Sequence, residues 1–445
     1  MQFSILFSSV HATNSPYIGI GGGTLALVFL WIAFRAIRRE RLIRDLPTCK
    51  TTGVFIGTVE LKGTAESDAP MASYLAGAPC VWFNWLVQEH YRRTRTVTTT
   101  DSKGNTQTRT ETYTGWETVA HGGDHIPFYL QDDDGLVRVI PDGAKIEGDA
   151  IYGETVSRGH PLYYGKGPVG SVSGSTGTRR FTESAIRLHT PLYLLGHARL
   201  REDVVAPEIA YDPHAEMYLI STRSEASIAS GYCWTYRILS VLGLAAAVVP
   251  WFFVFERSPK HIAIATITAG ISYMIVYLLG WLWVVYNSLV GLKKRVDQAW
   301  SNIDVQLKRR HDLIPNLVQV VDAVCRHEKG TQETLALLRS QAAVTAPGAP
   351  GEDPRGCASR LIMLAEAYPT LKADQNFMKL QEELIDTEQR IALAREYFNE
   401  TITSYNIRCE TFPDMLPAKL AHMTPRVYFA AEDFERAAVK VKLVE

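Results

Sequence analysis

The chain has 445 residues, and its 46 lysines and arginines are nearly cancelled by 47 aspartates and glutamates. That balance gives no general attraction for nucleic acid, so no nucleic-acid partner is expected. The six cysteines (Cys49, Cys80, Cys233, Cys325, Cys357 and Cys409) form no C-x-x-C pair, which argues against a zinc module and offers no disulfide framework. They read as reduced, mostly buried thiols.

Residues 1–16 contain no lysine or arginine and so lack the charged start of a cleaved signal peptide. Residues 17–34 form a first apolar run, about 27 Å long as a helix and somewhat short for a bilayer, with Gly21, Gly22 and Gly23 inside it. Arg35, Arg38, Arg39, Arg41 and Arg44 follow at once. Positive charge stays on the cytoplasmic side, so the N-terminus is expected outside and the end of this helix inside.

Residues 50–232 read as a mostly antiparallel β domain beside the membrane, with short β-type runs at 54–61, 81–87, 128–131, 136–140 and 192–195 split by turn residues. Residues 92–114 read as a hairpin around Lys103-Gly104-Asn105 with two polar faces, Arg93, Arg95 and Thr99 on one and Thr94, Thr96 and Thr98 on the other. Such a ribbon buries little and leaves its edges open. Arg93, Arg95 and Arg109 are therefore the candidate interaction surface, for a partner strand or lipid phosphates; a solvated hairpin with no binding role is the plainer alternative.

Residues 159–180, rich in glycine and serine, are expected to be a mobile loop. Gly165-Lys166-Gly167-Pro168-Val169-Gly170 mimics a dinucleotide fingerprint but lacks the strand before and the helix after that the chemistry needs. His121-Gly122-Gly123-Asp124-His125 is expected to be a polar turn rather than a metal site, because two glycines argue against a helix presenting both histidines.

Val59-Glu60-Leu61-Lys62-Gly63-Thr64-Ala65, Pro79-Cys80-Val81-Trp82, Pro127-Phe128-Tyr129-Leu130 and Tyr218-Leu219-Ile220-Ser221 resemble the membrane-adjacent domain of the GIDE family. That family includes mitochondrial ubiquitin ligases in which a RING finger follows the domain. A RING needs about eight Cys and His ligands, and the sequence after Tyr286 holds only Cys325, Cys357 and Cys409. The resemblance implies the domain without the ligase activity.

Residues 238–255 form a second apolar run containing Pro250, and residues 262–286 a third, about 37 Å long as a helix. Lys293, Lys294 and Arg295 follow the third, so both large segments are expected in the cytoplasm; Arg257 and Lys260 between the runs are a minor contrary signal. Apolar side chains then recur at Leu289, Leu292, Val296, Ala299, Ile303, Leu307, Ile314, Leu317, Val321 and Val324, one stripe on a helix leaving the membrane. A kink is expected at Pro315. Further helices are expected at 331–343, at 354–368, and at 374–409, where Phe377, Leu380, Leu384, Ile391, Ala394, Phe398, Ile402 and Tyr405 make a second long stripe. His311, Asp312, His327, Glu328, Glu366 and Glu383 are the only inward metal candidates, and no Glu-x-x-His pair joins them. No metal or other cofactor is expected.

Arg295-Val296-Asp297-Gln298-Ala299-Trp300, Asn302 to Arg310, Leu313-Ile314-Pro315-Asn316-Leu317-Val318, Arg395-Glu396-Tyr397-Phe398-Asn399 and Tyr405-Asn406 resemble the LemA family strongly. LemA proteins are membrane-anchored helical proteins of bacteria, and one branch is associated with building magnetosome membranes. The family has no agreed activity.

The fold expected is an α+β integral membrane protein of the bacterial inner membrane. It comprises a non-cytoplasmic 1–16, spans at 17–34, 238–255 and 262–286, a β domain at 50–232, and an elongated antiparallel helical bundle at 287–445. The function expected is a non-enzymatic scaffold or organiser at the inner face, meeting membrane lipid and either further copies of itself or a protein partner. A GIDE-type ubiquitin transferase and a lipid or small-molecule sensor are the alternatives.

Overall fold

The computed structural model describes residues 17–100, 106–204, 206–254, 259–324 and 375–429. Contacts divide the chain into two compact units, Thr48–Glu225 on one hand and Met1–Pro47 with Ala226–Glu445 on the other. In chain order the elements are α1 (Tyr17–Asp45), β1 (Thr48–Cys49), β2 (Gly57–Glu66), β3 (Met71–Ala72), β4 (Pro79–Thr100), β5 (Thr106–His125), β6 (Phe128–Gln131) and β7 (Leu136–Val139). Then come β8 (Lys145–Glu147), β9 (Asp149–Ser157), α2 (Pro161–Gly165), β10 (Ser175–Arg187), β11 (Pro191–Leu200), β12 (Pro207–Ala210) and β13 (Leu219–Ser221). The helices α3 (Glu225–Val254), α4 (Pro259–Val324), α5 (Gln375–Glu410) and α6 (Met415–Leu420) complete the order.

The β unit holds a closed barrel and a half-barrel. β2 pairs with β6, β6 with β7, β7 with β12, β12 with β11, and β11 back with β2, which removes every edge from those five strands. Every contact in the ring is antiparallel except that of β7 with β12. A five-stranded ring with this order has the architecture of an OB barrel. Val59, Leu61, Leu130, Val139, Leu194 and Ile209 are fully enclosed, and each such side chain contributes about 1.5–3 kcal/mol. The runs at 128–131, 136–140 and 192–195 coincide with or fall on β6, β7 and β11.

In the second sheet β4 lies between β10 on one edge and β3 followed by β5 on the other, with β9 beyond β10. Its core is Val87, Val156, Tyr163 and Phe181, covered by Trp85, Val119 and Leu162 among others. The expected mobile loop at 159–180 is not what forms. α2 and the start of β10 occupy much of it.

In the other unit, α1, α3 and α4 are long and apolar enough to cross a membrane. They pack through Ala26, Leu30, Ala247 and Tyr273. Gly22 is what lets α1 approach α3: a Cβ there would lie 2.4 Å from Pro250 and 2.6 Å from the Ala246 carbonyl. Elsewhere the same helices turn large apolar side chains outward, among them Trp31 and Trp283, as a lipid-facing surface requires.

α4 runs unbroken for 66 residues, roughly 100 Å, from the third apolar run into the striped segment. Leu289, Leu292, Val296, Ala299 and Ile303 are buried, facing Phe377, Leu384, Ile391, Phe398, Ile402 and Tyr405 of α5. Contacts between Arg310 and Glu388, Trp300 and Phe398, and Ser288 and Arg408 progress in opposite directions along the two helices, so they are antiparallel. Pro315 lies within α4 without ending it. The helices expected at 331–343 and 354–368 lie outside the described residues, and what the structure shows of the bundle is the α4–α5 pair with α6.

Candidate functional site

The hairpin of β4 and β5 has two regions. Up to Tyr91, β4 is flanked by β10 as well as β5; beyond it, among the described residues, β4 is in strand pairing with β5 alone, from Arg92 opposite Thr114 to Thr100 opposite Thr106, while the Arg92 N–H also donates to the Gly174 carbonyl at 2.7 Å. The two strands are those of the hairpin expected at 92–114, and its tip at 101–105 lies outside the described residues. On one face Thr94, Thr96 and Thr98 stand opposite Thr112, Thr110 and Thr108, and on the other Arg93, Arg95 and Val97 stand opposite Tyr113, Glu111 and Arg109.

The three candidate arginines are not equivalent. Arg93 is held by its own sheet: its Nε donates to the Ser173 carbonyl at 2.9 Å, it pairs with Glu117 at 2.5 Å, and its guanidinium lies 4.2 Å from the Tyr91 ring. Arg95 and Arg109 are exposed farther along the ribbon. Among the described residues β5 pairs with β4 alone, so its outer edge presents unpaired backbone groups along 20 residues.

The base of the hairpin is anchored by a buried ion pair that the sequence reading missed. Arg179 and Glu89 are both fully enclosed and 3.1 Å apart. Arg179 also donates to the carbonyls of Tyr163, Pro168 and Gly170, so the Gly165-to-Gly170 run wraps its guanidinium and brings no phosphate-binding geometry. Glu89 accepts further bonds from Tyr163 Oη at 2.9 Å and from Ser175 Oγ. Burial opposes its ionisation, but the bonds from Ser175, Tyr163 and Arg179 prevail and hold the carboxyl below its ordinary range.

His121 to His125 is not a turn. It is the end of β5, with Gly122 directly opposite Trp85, whose ring would lie 2.9 Å from a Cβ at that position. His121 lines a cavity of about 450 Å³ with Trp82, Asn84, Glu147, Thr182 and Ser184. A second cavity, of about 460 Å³, lies among α1, α3 and α4 and is lined by small residues such as Gly19, Gly23, Ala26 and Ala269. Neither was legible in the sequence, since each draws its lining from segments far apart in the chain. Cys49, Cys80 and Cys409 are buried thiols, and burial together with Glu183 pushes the Cys80 thiol up to about 11. Among the described residues no three His, Cys, Asp or Glu side chains converge as a metal site. Of the six metal candidates, His327, Glu328 and Glu366 lie outside those residues.

In the helical unit a charged joint gathers α1, α4 and α5. Arg408 of α5 bonds Asp45 at the end of α1, Ser288 of α4 at 2.8 Å, and Asp414 at 2.7 Å; Arg41 pairs with the same Asp414 at 3.2 Å. Two asparagines on α5 clamp the chain that follows. Asn406 bonds both backbone groups of Arg426 at 2.8 and 2.9 Å, and Asn399 those of Phe429 at 2.9 and 3.2 Å.

Residues 299–443 match the LemA family model, and residues 96–255 match the GIDE model, which is described as an E3 ubiquitin ligase. This chain joins a GIDE region to a LemA region. The LemA region takes in residues 299–324 of α4, all of α5 and both asparagine clamps. The GIDE region runs from the hairpin tip through α3. Magnetosome protein MamQ of Magnetospirillum gryphiswaldense is 22% identical over 194 residues, 36% of this chain and 71% of that protein. Two MamQ proteins of Paramagnetospirillum magneticum are each 23% identical over the same shares. With three membrane-length helices in the structure, these relatives support membrane association.

Proposed function

We propose that this protein is a membrane-anchored organiser that holds partners, including further copies of itself, at the inner face of a bacterial membrane. The reading rests above all on α4, one continuous helix that passes from a membrane-length apolar segment into the arm covered by α5. Such a helix transmits position from the bilayer to the LemA region without a hinge. The arginine runs after α1 and after the third apolar segment favour both large bodies in the cytoplasm and the N-terminus outside. The relatives are magnetosome proteins by name, and a role at a membrane is carried over from them.

The test is the native assembly. Extraction with the surrounding lipid should give a species larger than one chain or a reproducible co-purifying protein; a strictly monomeric particle overturns the proposal. Sidedness has its own check: protease and thiol reagents should reach both bodies from the cytoplasmic side, and opposite accessibility would end the idea of a shared face.

Ubiquitin-type transfer is the second reading, carried by the GIDE description. A thiol carrier needs an accessible thiolate at neutral pH, whereas Cys80 is fully buried with its thiol held protonated. Cys80 should therefore label no faster than an ordinary buried thiol. Rapid selective labelling of Cys80 or Cys233 would revive the transferase.

A further inference from the structure

We infer that the outer edge of β5 is the site at which a second copy of this chain docks, antiparallel, in one register centred on Thr110. The inference rests on the self-association reading and gives it a surface.

Between Thr106 and Thr114 the strand carries no proline, no glycine and no lysine, so three of the usual protections of an exposed edge are missing from it. It is exposed along that length, and among the described residues its only strand neighbour is β4. An open edge of this kind accepts another strand through backbone hydrogen bonds. What identifies the occupant is the charge pattern. The segment has two charged residues, Arg109 and Glu111, and among the described residues neither enters an ion pair within the chain.

With two copies antiparallel and Thr110 facing Thr110, Arg109 of each stands opposite Glu111 of the other, and Thr108 opposite Thr112. A twofold axis makes both ion pairs at once, as a self-complementary interface requires. Slipping the register by two residues one way sets Arg109 against Arg109; slipping it the other way sets Glu111 against Glu111. Like charges directly opposite are unfavourable in a sheet, and a slip of one residue sets threonine against charge on mismatched faces. In the centred register Glu111 lies between Arg95 of its own chain and Arg109 of the second copy, continuing the observed Arg95–Glu111 and Val97–Arg109 pairing across the seam. The threonine rows continue likewise into a four-stranded face.

The test uses the full chain in native-membrane particles. Thr110→Cys, on the twofold axis, should form a disulfide dimer under mild oxidation at least tenfold above the unsubstituted chain. Thr96→Cys, one strand back from the seam, should not, because its counterpart is then beyond the reach of a disulfide. Arg109→Glu and Glu111→Arg, each combined with Thr110→Cys, should each lower that yield tenfold or more, and mixing the two variants should restore it to within about twofold. Failure of Thr110→Cys to cross-link in particles that are still oligomeric overturns this interface and leaves the organiser reading standing; monomeric particles overturn both. Equal cross-linking of Thr96→Cys and Thr110→Cys would indicate stacking of threonine faces and would likewise overturn the edge pairing.

Discussion

The base and the outer ribbon of one hairpin follow opposite rules. At the base β4 is central in its sheet, its core-facing side chains pack with Phe181 and Tyr163, and an enclosed Arg179–Glu89 pair ties it to β10 and the glycine-rich wrap. Twenty-odd ångströms of ribbon farther on, at about 3.4 Å per residue, the same two strands bury almost nothing and carry threonine against threonine. The base is specified by what it encloses, whereas the outer ribbon of 92–100 and 106–114 is specified by cross-strand pairing and offers its edge to another strand.

The sharpest way to break that contrast is to remove one member of the buried pair. Glu89→Gln or Arg179→Met should cost the β unit about 3–5 kcal/mol, because the remaining charge stays enclosed without its partner; chemical denaturation would measure it. Gly122→Ala should cost about 1–3 kcal/mol by forcing Trp85 from its place over that glycine, seen as a lower melting temperature and altered tryptophan fluorescence. Acidification supplies a third handle. The lowered Glu89 value means that its contribution is complete above the ordinary value of 4.5 and is lost as pH falls through the lower folded value, so stability should decline on the acid side, less steeply in Glu89→Gln. In the outer ribbon, Thr98→Ala should change stability by no more than about 0.5 kcal/mol. A large loss there would show that the ribbon is held by more than its own pairing.

Several readings of the sequence depended only on near neighbours and held for that reason. Apolar runs gave three membrane-length helices, β-type runs split by turn residues gave β6 and β7, and steps of three and four gave the facing stripes of α4 and α5. The loop at 159–180 was misjudged because the carbonyls of Pro168 and Gly170 find their donor in Arg179, whose burial depends on β4 and β10 coming together. His121 to His125 was misjudged because turn-forming composition was overridden by Trp85 on the neighbouring strand, which covers Gly122. Of the candidate arginines, sequence grouped Arg93 with Arg95 and Arg109; only the fold brings Ser173 and Glu117 to Arg93 and leaves the other two exposed.

Sequence alone determined where this protein is greasy, where it alternates and which family its last helices resemble, since periodicity and composition are properties of adjacent residues. Tertiary structure decided that five short strands close a ring, that Glu89 meets Arg179 across 90 positions, and that Arg408 joins α1 to α4. Those outcomes depend on partners distant in the chain, and a buried charge or an open edge exists only once the strands around it have taken their places.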